Sequence, residues 1–339
     1  MALLAGVSVS TASRVLRGIA VEPAMDNRVR DAAEKLGYKP NGLAQALRAG
    51  RSNTFGLLIP DVSNPWFGEL ASAIEDACRL RGIGIVLCNS GNRADQEEGC
   101  LDLLWKQHVD GLFMVSVRGQ IPSSLAHRTR SHWPVVAFDR ALAGPGVDVV
   151  MADNIGGMRQ LVDHLVAQGY RSIAQIASGA GLEAGVDRRI EVDRALQSHG
   201  LRSAGTVIGD FTFESGYAAA AHFLTGDHST VDAIIAANDL MAVGALQYCS
   251  NSGIRVPHDV AVAGFDDMAL SSWVSPALTT VRQDPTLLAA EAVELLVSRM
   301  NQPETAPRTR VIDCALQVRA STLSPSGAPI SHTPTLHPE

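Results

Sequence analysis

From Thr54 onward one pattern recurs along the chain: a short apolar run followed by an amphipathic stretch. "FGLLIP", "GIGIVLC", "VDGLFMVS" and "WPVVAFD" come first, and "SIAQIAS", "VDAIIAA" and "DVAVAGF" repeat the alternation further on. Strand and helix alternating at this spacing imply βαβ units, because parallel neighbours are reached only through a crossover, usually helical, that covers a sheet face. Such units, repeated over about 260 residues, fit two doubly wound lobes better than one. The expected fold class is therefore α/β.

The part before Thr54 has a different character. Residues 1–53 carry eight Lys and Arg against four Asp and Glu, whereas the remainder carries 20 against 31. A small basic head on an acidic body suggests a polyanion-binding module attached to something else, although a few basic side chains also make an ordinary solvated face. With 46% hydrophobic and 19% charged residues the composition is that of a soluble globular protein, and no apolar run approaches the roughly 20 residues of a membrane helix. The N-terminus lacks a basic start, an apolar middle and a small-residue cleavage site, so the expected compartment is the cytoplasm, with no membrane partner. Cys78, Cys88, Cys100, Cys249 and Cys314 are scattered, without a CxxC pair or zinc-finger spacing, and read as buried thiols in a reducing compartment. No metal and no cofactor are expected.

The head divides into short helices. Ser8 caps a run to about Leu16 with Gly18 beyond its end; a second run, about Met25 to Leu36, places Val29, Ala32, Ala33 and Leu36 on one face; "YKPN" breaks the chain before a third piece, Gly42 to Ala49. A turn containing Gly6 followed by a capped helix is the shape of a helix-turn-helix. Its outer face offers Ser8, Val9, Ser10, Thr11, Ser13 and Arg14 to base edges and phosphates of a major groove, with Ala12, Val15 and Leu16 as inward anchors. Spacing alone leaves an ordinary amphipathic helix as the other reading.

"LAGVSVSTASRVL", "AAEKLGYKPNGLAQALRAGRSNTFGLLIPDVSNPWFGEL", "ANDLMAVGAL", "VAGFDD" and "PALTTVRQD", in that order, resemble the LacI/GalR family of bacterial transcriptional regulators, over about Leu4 to Arg319. The resemblance implies a repressor with a helix-turn-helix head over 1–40, a hinge helix and linker over 41–53, and a two-lobed body over 54–320 like a periplasmic sugar-binding protein. Lobe 1 is expected at about 54–153 and 282–312, lobe 2 at about 154–281, and a disordered tail at 321–339. The implied partners are a palindromic operator and a small polar effector, with the chain a homodimer or tetramer. In the hinge, Leu47 matches the leucine that family members push between base pairs, with Asn41 and Ala44 beside it as further DNA contacts; an apolar wedge unstacks a step and the bend admits more contacts. Packing of one hinge helix on its mate is the alternative use of Leu47.

In open α/β sheets ligands sit beyond the carboxyl ends of strands. The loops there are polar: "DVSNPWF", Asp139 and Arg140, Asp153 and Asn154, Asn238 and Asp239, and Asp266 of "GFDD". Carboxylates and an arginine between two lobes bracket hydroxyls, which suits a sugar or similar metabolite. For any single aspartate, capping the next helix is the competing role. The family resemblance sharpens Arg188, Asp266 and Phe211 as effector contacts, followed by Trp66 and Phe67. It departs at the family's RxxGF pattern, where Glu191 and Val192 replace Gly and Phe; Glu191 then either faces solvent or pairs with Arg188.

Other classes are poorly supported. "SGAGLEAG" gives GxGxxxG through Gly179, Gly181 and Gly185, one residue longer than a dinucleotide fingerprint and without its later acidic residue, and no GxSxG, HExxH or P-loop occurs. A transport-type binding protein would need a signal peptide and no basic head. Family members carry about eight more residues before the segment matching Met1, forming most of the head's first helix. The expectation is a truncated first helix that leaves Val15, Leu16 and Val29 exposed and an operator-binding head that is weakened, or a gene product starting upstream; a short turn from Leu3 and Leu4 is the alternative.

Overall fold

The computed structural model describes residues 1–16, 19–38, 51–117, 122–130, 133–138, 146–179, 183–225 and 230–323. The chain forms two compact units, residues 1–53 and 54–339. In the first, α1 (Ala2–Ala5), α2 (Val9–Leu16) and α3 (Pro23–Lys35) pack on one another. Gly6 ends α1 with φ 62°, a left-handed geometry that glycine adopts without steric cost. Ser8 caps α2, its hydroxyl accepting from the Thr11 N–H at 3.0 Å.

The expected exposure of the head's apolar anchors does not occur. Val15 and Val29 are 2% and 0% exposed and Leu16 is half-buried, in a cluster with Ala5, Ala12 and Ala32. Met1, Ala2 and Ala5, with Val7 and Val21, supply the cover. Leu3 and Leu4 do not: both side chains are exposed.

In the second unit each lobe holds a six-stranded sheet among the described residues. The first runs β11-β5-β4-β3-β1-β2, built from β1 (Thr54–Ile59), β2 (Gly84–Asn89), β3 (Gly111–Met114), β4 (Val135–Phe138), β5 (Val147–Ala152) and β11 (Thr309–Ile312), every pairing parallel. Alternation along β1 explains the layers. Phe55, Leu57 and Ile59 face α4 (Pro65–Arg79) and α11 (Pro285–Asn301), while Leu58 faces α5 (Ala94–Lys106). A shorter helix, α6 (Ser123–Arg130), precedes β4.

The second sheet runs β12-β10-β9-β8-β6-β7, from β6 (Ile173–Ser178), β7 (Gly205–Gly209), β8 (Ala233–Ala236), β9 (Ala261–Asp266), β10 (Thr279–Arg282) and β12 (Ala315–Gln317). On β8, Ala233 and Ile235 meet the layer of α7 (Asn154–Ala167) and α8 (Glu183–Ser198), whereas Ile234 and Ala236 meet α9 (Phe213–Leu224) and α10 (Asp239–Asn251). The expected lobe limits shift in two places. Arg282 belongs to β10 of the second lobe, and after β11 the chain returns there as β12, antiparallel to β10, because the last strand enters from the opposite end.

The expected disordered tail begins too early. Ser321 and Thr322 are fully buried in a 3-10 turn. The Ser321 hydroxyl donates to the Val262 carbonyl at 2.6 Å, and the Tyr170 hydroxyl to the Thr322 carbonyl at 3.2 Å. Small polar residues that look like a tail in sequence are here satisfied hydrogen-bond partners of the sheet.

Helices α9 and α10 touch backbone to backbone. A Cβ on Gly244 would stand 2.1 Å from the Phe213 carbonyl oxygen and 2.7 Å from the Tyr217 nitrogen. Gly→Ala inside a helix ordinarily stabilises by about 1 kcal/mol. Here the expected sign is reversed: Gly244→Ala lowers stability by about 1–3 kcal/mol through overpacking, read from the urea unfolding midpoint.

Candidate functional site

The two sheets place their carboxyl ends around a cleft of about 320 Å³. Helix caps account for several of the polar residues at these strand ends. Asn64 caps α4 through the Trp66 N–H at 3.0 Å, Asp153 caps α7 through Gly156 at 2.9 Å, and Asn238 caps α10 through Met241 at 3.0 Å. Asn238 also donates from Nδ2 to the Phe211 carbonyl at 3.1 Å, so its cap fixes a second cleft loop.

Arg188, from α8, is the central cation. It is 3% exposed, donates from Nε to Asn154 Oδ1 at 2.8 Å and from Nη1 to the Ala237 carbonyl at 2.7 Å, and lies 3.7 Å over the Phe265 ring. Asp266 Oδ1 stands 3.7 Å from Nη1 and accepts from Gln283 Nε2 at 2.7 Å. The arginine is thus oriented before any ligand arrives, which lowers the ordering cost of binding.

Asp266 and Asp267 both have left-handed backbones, φ 126° and 56°. Asp239 anchors that turn from beneath. Fully buried, it accepts from the Met268 N–H at 3.0 Å, the Ser271 hydroxyl at 2.5 Å and the Thr280 hydroxyl at 2.5 Å. Burial pushes its carboxyl up to about 6, against the pull of those three donors. Beyond β7 of the same sheet the Thr212 hydroxyl, helped by Ser215, holds the Asp210 carboxyl below its ordinary value despite some desolvation.

Of the effector residues expected from sequence, Trp66, Phe67, Arg188, Phe211, Asn238 and Asp266 all line this cleft. Asp139, and the hinge residues Asn41, Ala44 and Leu47, lie outside the described residues. Asp61, Asn92, Val117, Asp210, Thr212 and Gln283 line it as well. Most of these sit just beyond strand ends, where the loop rule finds them; Gln283 stands where the chain passes between lobes. Trp66 Nε1 and Gln283 Oε1 are buried without a hydrogen-bond partner among the described residues. Glu191 adopts neither expected state. It is 1% exposed and pairs with Arg159 at 2.8 Å and Arg194 at 3.0 Å, because its helix face turns towards α7 and not towards the cleft.

On the head, Ser8, Val9, Ser10 and Arg14 are exposed and Thr11 and Ser13 half-buried. Arg14 donates to the Ala20 carbonyl at 3.3 Å. Among the described residues no helix is long and apolar enough to cross a membrane.

A helix-turn-helix head joined to a two-lobed ligand-binding body defines the class of ligand-responsive DNA-binding regulators. The comparisons agree. Residues 1–41 match the model for bacterial regulatory proteins of the lacI family, and residues 162–322 that for a periplasmic binding protein-like domain. The HTH-type transcriptional regulator CelR of Thermobifida fusca is 36% identical, over 95% of this chain and 96% of that one. A CelR–cellobiose complex superimposes with a TM-score of 0.72 at 34% identity, covering 94% of this chain and 98% of that one. The lac repressor dimer bound to operator and the anti-inducer ONPF gives 0.82 at 26% identity, over 95% and 98%. The chain belongs to the LacI family of transcriptional regulators.

The Asp239 anchor has a pH signature. Its folded value lies above the ordinary 3.8, so its contribution to stability is complete below about pH 4 and is lost as pH rises towards 6. Urea unfolding of wild type and Asp239→Asn across that range checks this: the difference moves in favour of the asparagine form as pH rises. A flat difference would mean that the three donors keep the carboxyl ionised.

Proposed function

We propose that the protein is a repressor whose cleft binds an uncharged, polyhydroxylated effector of the sugar type, and that lobe closure on it changes the affinity of paired heads for a palindromic operator. The observation that carries this reading is the set of cleft groups prepared for hydroxyls. Trp66 offers an unused N–H and Gln283 an unused carbonyl oxygen, each costly to leave buried and unpaired. Arg188 and Asp266 are held side by side as donor and acceptor, and Trp66, Phe67 and Phe211 supply apolar faces. Among the described lining residues Asp61, Asp210 and Asp266 face a lone arginine already bonded to protein, a balance that disfavours phosphorylated ligands. The cellobiose held by CelR is chemistry of the same kind.

The outer face of α2, with Ser8, Val9, Ser10, Thr11, Ser13 and Arg14, reads the major groove, and Leu47 acts in the minor groove as the resemblance implies, with Asn41 and Ala44 as further DNA contacts. A homodimer matches a palindrome, as in the lac repressor dimer on its operator. Asp139 joins the effector contacts. The chain acts by binding and not by catalysis, and it works in the cytoplasm, where the chromosome is.

Operator binding is expected to weaken steeply with salt through counterion release, and Arg14→Ala to cost about 1–3 kcal/mol at one base per half-site. Fluorescence anisotropy on promoter fragments checks both; equal affinity for scrambled DNA would refute specific recognition.

A thermal-shift screen of cellobiose, ribose and sugar phosphates identifies the effector class, with uncharged sugars expected to raise the melting temperature. Arg188→Ala and Asp266→Ala are expected to abolish the response while sparing basal operator binding. Wild-type calorimetric affinity in both variants would show that other residues hold the ligand.

A further inference from the structure

The chain buries Glu191, and a buried carboxylate must be paired to be tolerated. Its two oxygens are used differently. Oε2 accepts from Arg194 Nη1 at 3.0 Å, three residues along the same helix, so that contact ties α8 only to itself. Oε1 accepts from Arg159 Nε at 3.1 Å and Nη2 at 2.8 Å, and Arg159 belongs to α7. That pair therefore bridges two helices. One turn earlier on α8 stands Arg188, bonded to Asn154, which opens α7. The ion pair and the Asn154–Arg188 bond are neighbouring rungs between the same two helices.

We propose that Arg159 and Glu191 are a positioning pair: they fix the separation of α7 and α8, keep Asn154 within reach of Arg188, and so aim the guanidinium at the cleft. The proposal rests on the reading of the cleft as an effector site. Arg159 touches no cleft residue through any of its hydrogen bonds, and its side chain is 55% exposed, so replacing it leaves no cavity in the core. Losing it also leaves Glu191 its bond to Arg194. The bridge alone is removed.

The test uses the full chain with arginine labelled for nitrogen NMR, comparing wild type, Arg159→Met and Arg159→Lys. Exchange of the Arg188 Nε–H in the ligand-free protein is expected to quicken by about tenfold in Arg159→Met, as local opening becomes easier, and to return to within about threefold of wild type in Arg159→Lys. Cellobiose affinity by calorimetry is expected to follow the same order, with a loss of about five- to tenfold in Arg159→Met. Unchanged Nε–H exchange in Arg159→Met overturns the proposal, as does a quickening that only parallels a fall in the urea midpoint, which marks a purely structural role. Wild-type protein that binds none of the uncharged sugars in the thermal-shift screen counts against the sugar reading of the cleft, while the exchange measurement still decides whether the pair positions Arg188.

Discussion

Asp148 has no exposed surface, and two arginines from the far end of the chain close on it. Arg299, from α11, donates to both of its oxygens at 2.7 and 2.8 Å; Arg308 donates from Nη2 at 2.8 Å and from its backbone N–H at 2.8 Å. Burial opposes ionisation of this carboxyl, and the arginine hydrogen bonds outweigh it, holding the value below the ordinary one. The pair matters for where it sits. The chain passes between lobes near Asp153, near Gln283 and near Asp313, and Asp148 pins the segment between the last two passages onto β5. Without that anchor α11 would be fixed on the first lobe, among the described residues, by its apolar face and by the exposed Arg81–Glu294 and Arg310–Glu291 pairs alone.

The cleft follows from those crossings. Gln283, at one of them, holds Asp266 of the second lobe, while Asn154, just after another, holds Arg188. Groups that line the cleft are thus bonded to the segments by which the chain passes between the lobes. A ligand favouring one closure state over the other then acts on the equilibrium by its differential contacts alone, as any two-state coupling requires. Beneath the cleft, α9 and α10 are in backbone contact at Gly216 and Gly244.

The head obeys a different economy. Its core is made largely of Ala, with Val15 and Val29 at the centre, so a short helix with small side chains closes it. Leu3 and Leu4, the residues that look most like core in sequence, point outward because Ala2 and Ala5 occupy the inner face of the single turn.

The sequence by itself determined the alternation of strand and helix, the division near Thr54, the capped recognition helix and the polar strand ends that gather at the cleft. Those are local properties: period, turn chemistry and charge act within a few residues and survive in the folded chain. Tertiary structure alone decided which side of a helix a charge would occupy and where a segment would return. Glu191 pairs with Arg159, which lies 32 residues away. Asp148 pairs with Arg299 across 151 residues, and Ser321 fills a place against β9 that its polar, proline-flanked surroundings gave no sign of. The physical reason is common to all of them. The cost of burying a polar group is met by a partner supplied from another element, and the identity of that partner exists only once the elements have packed.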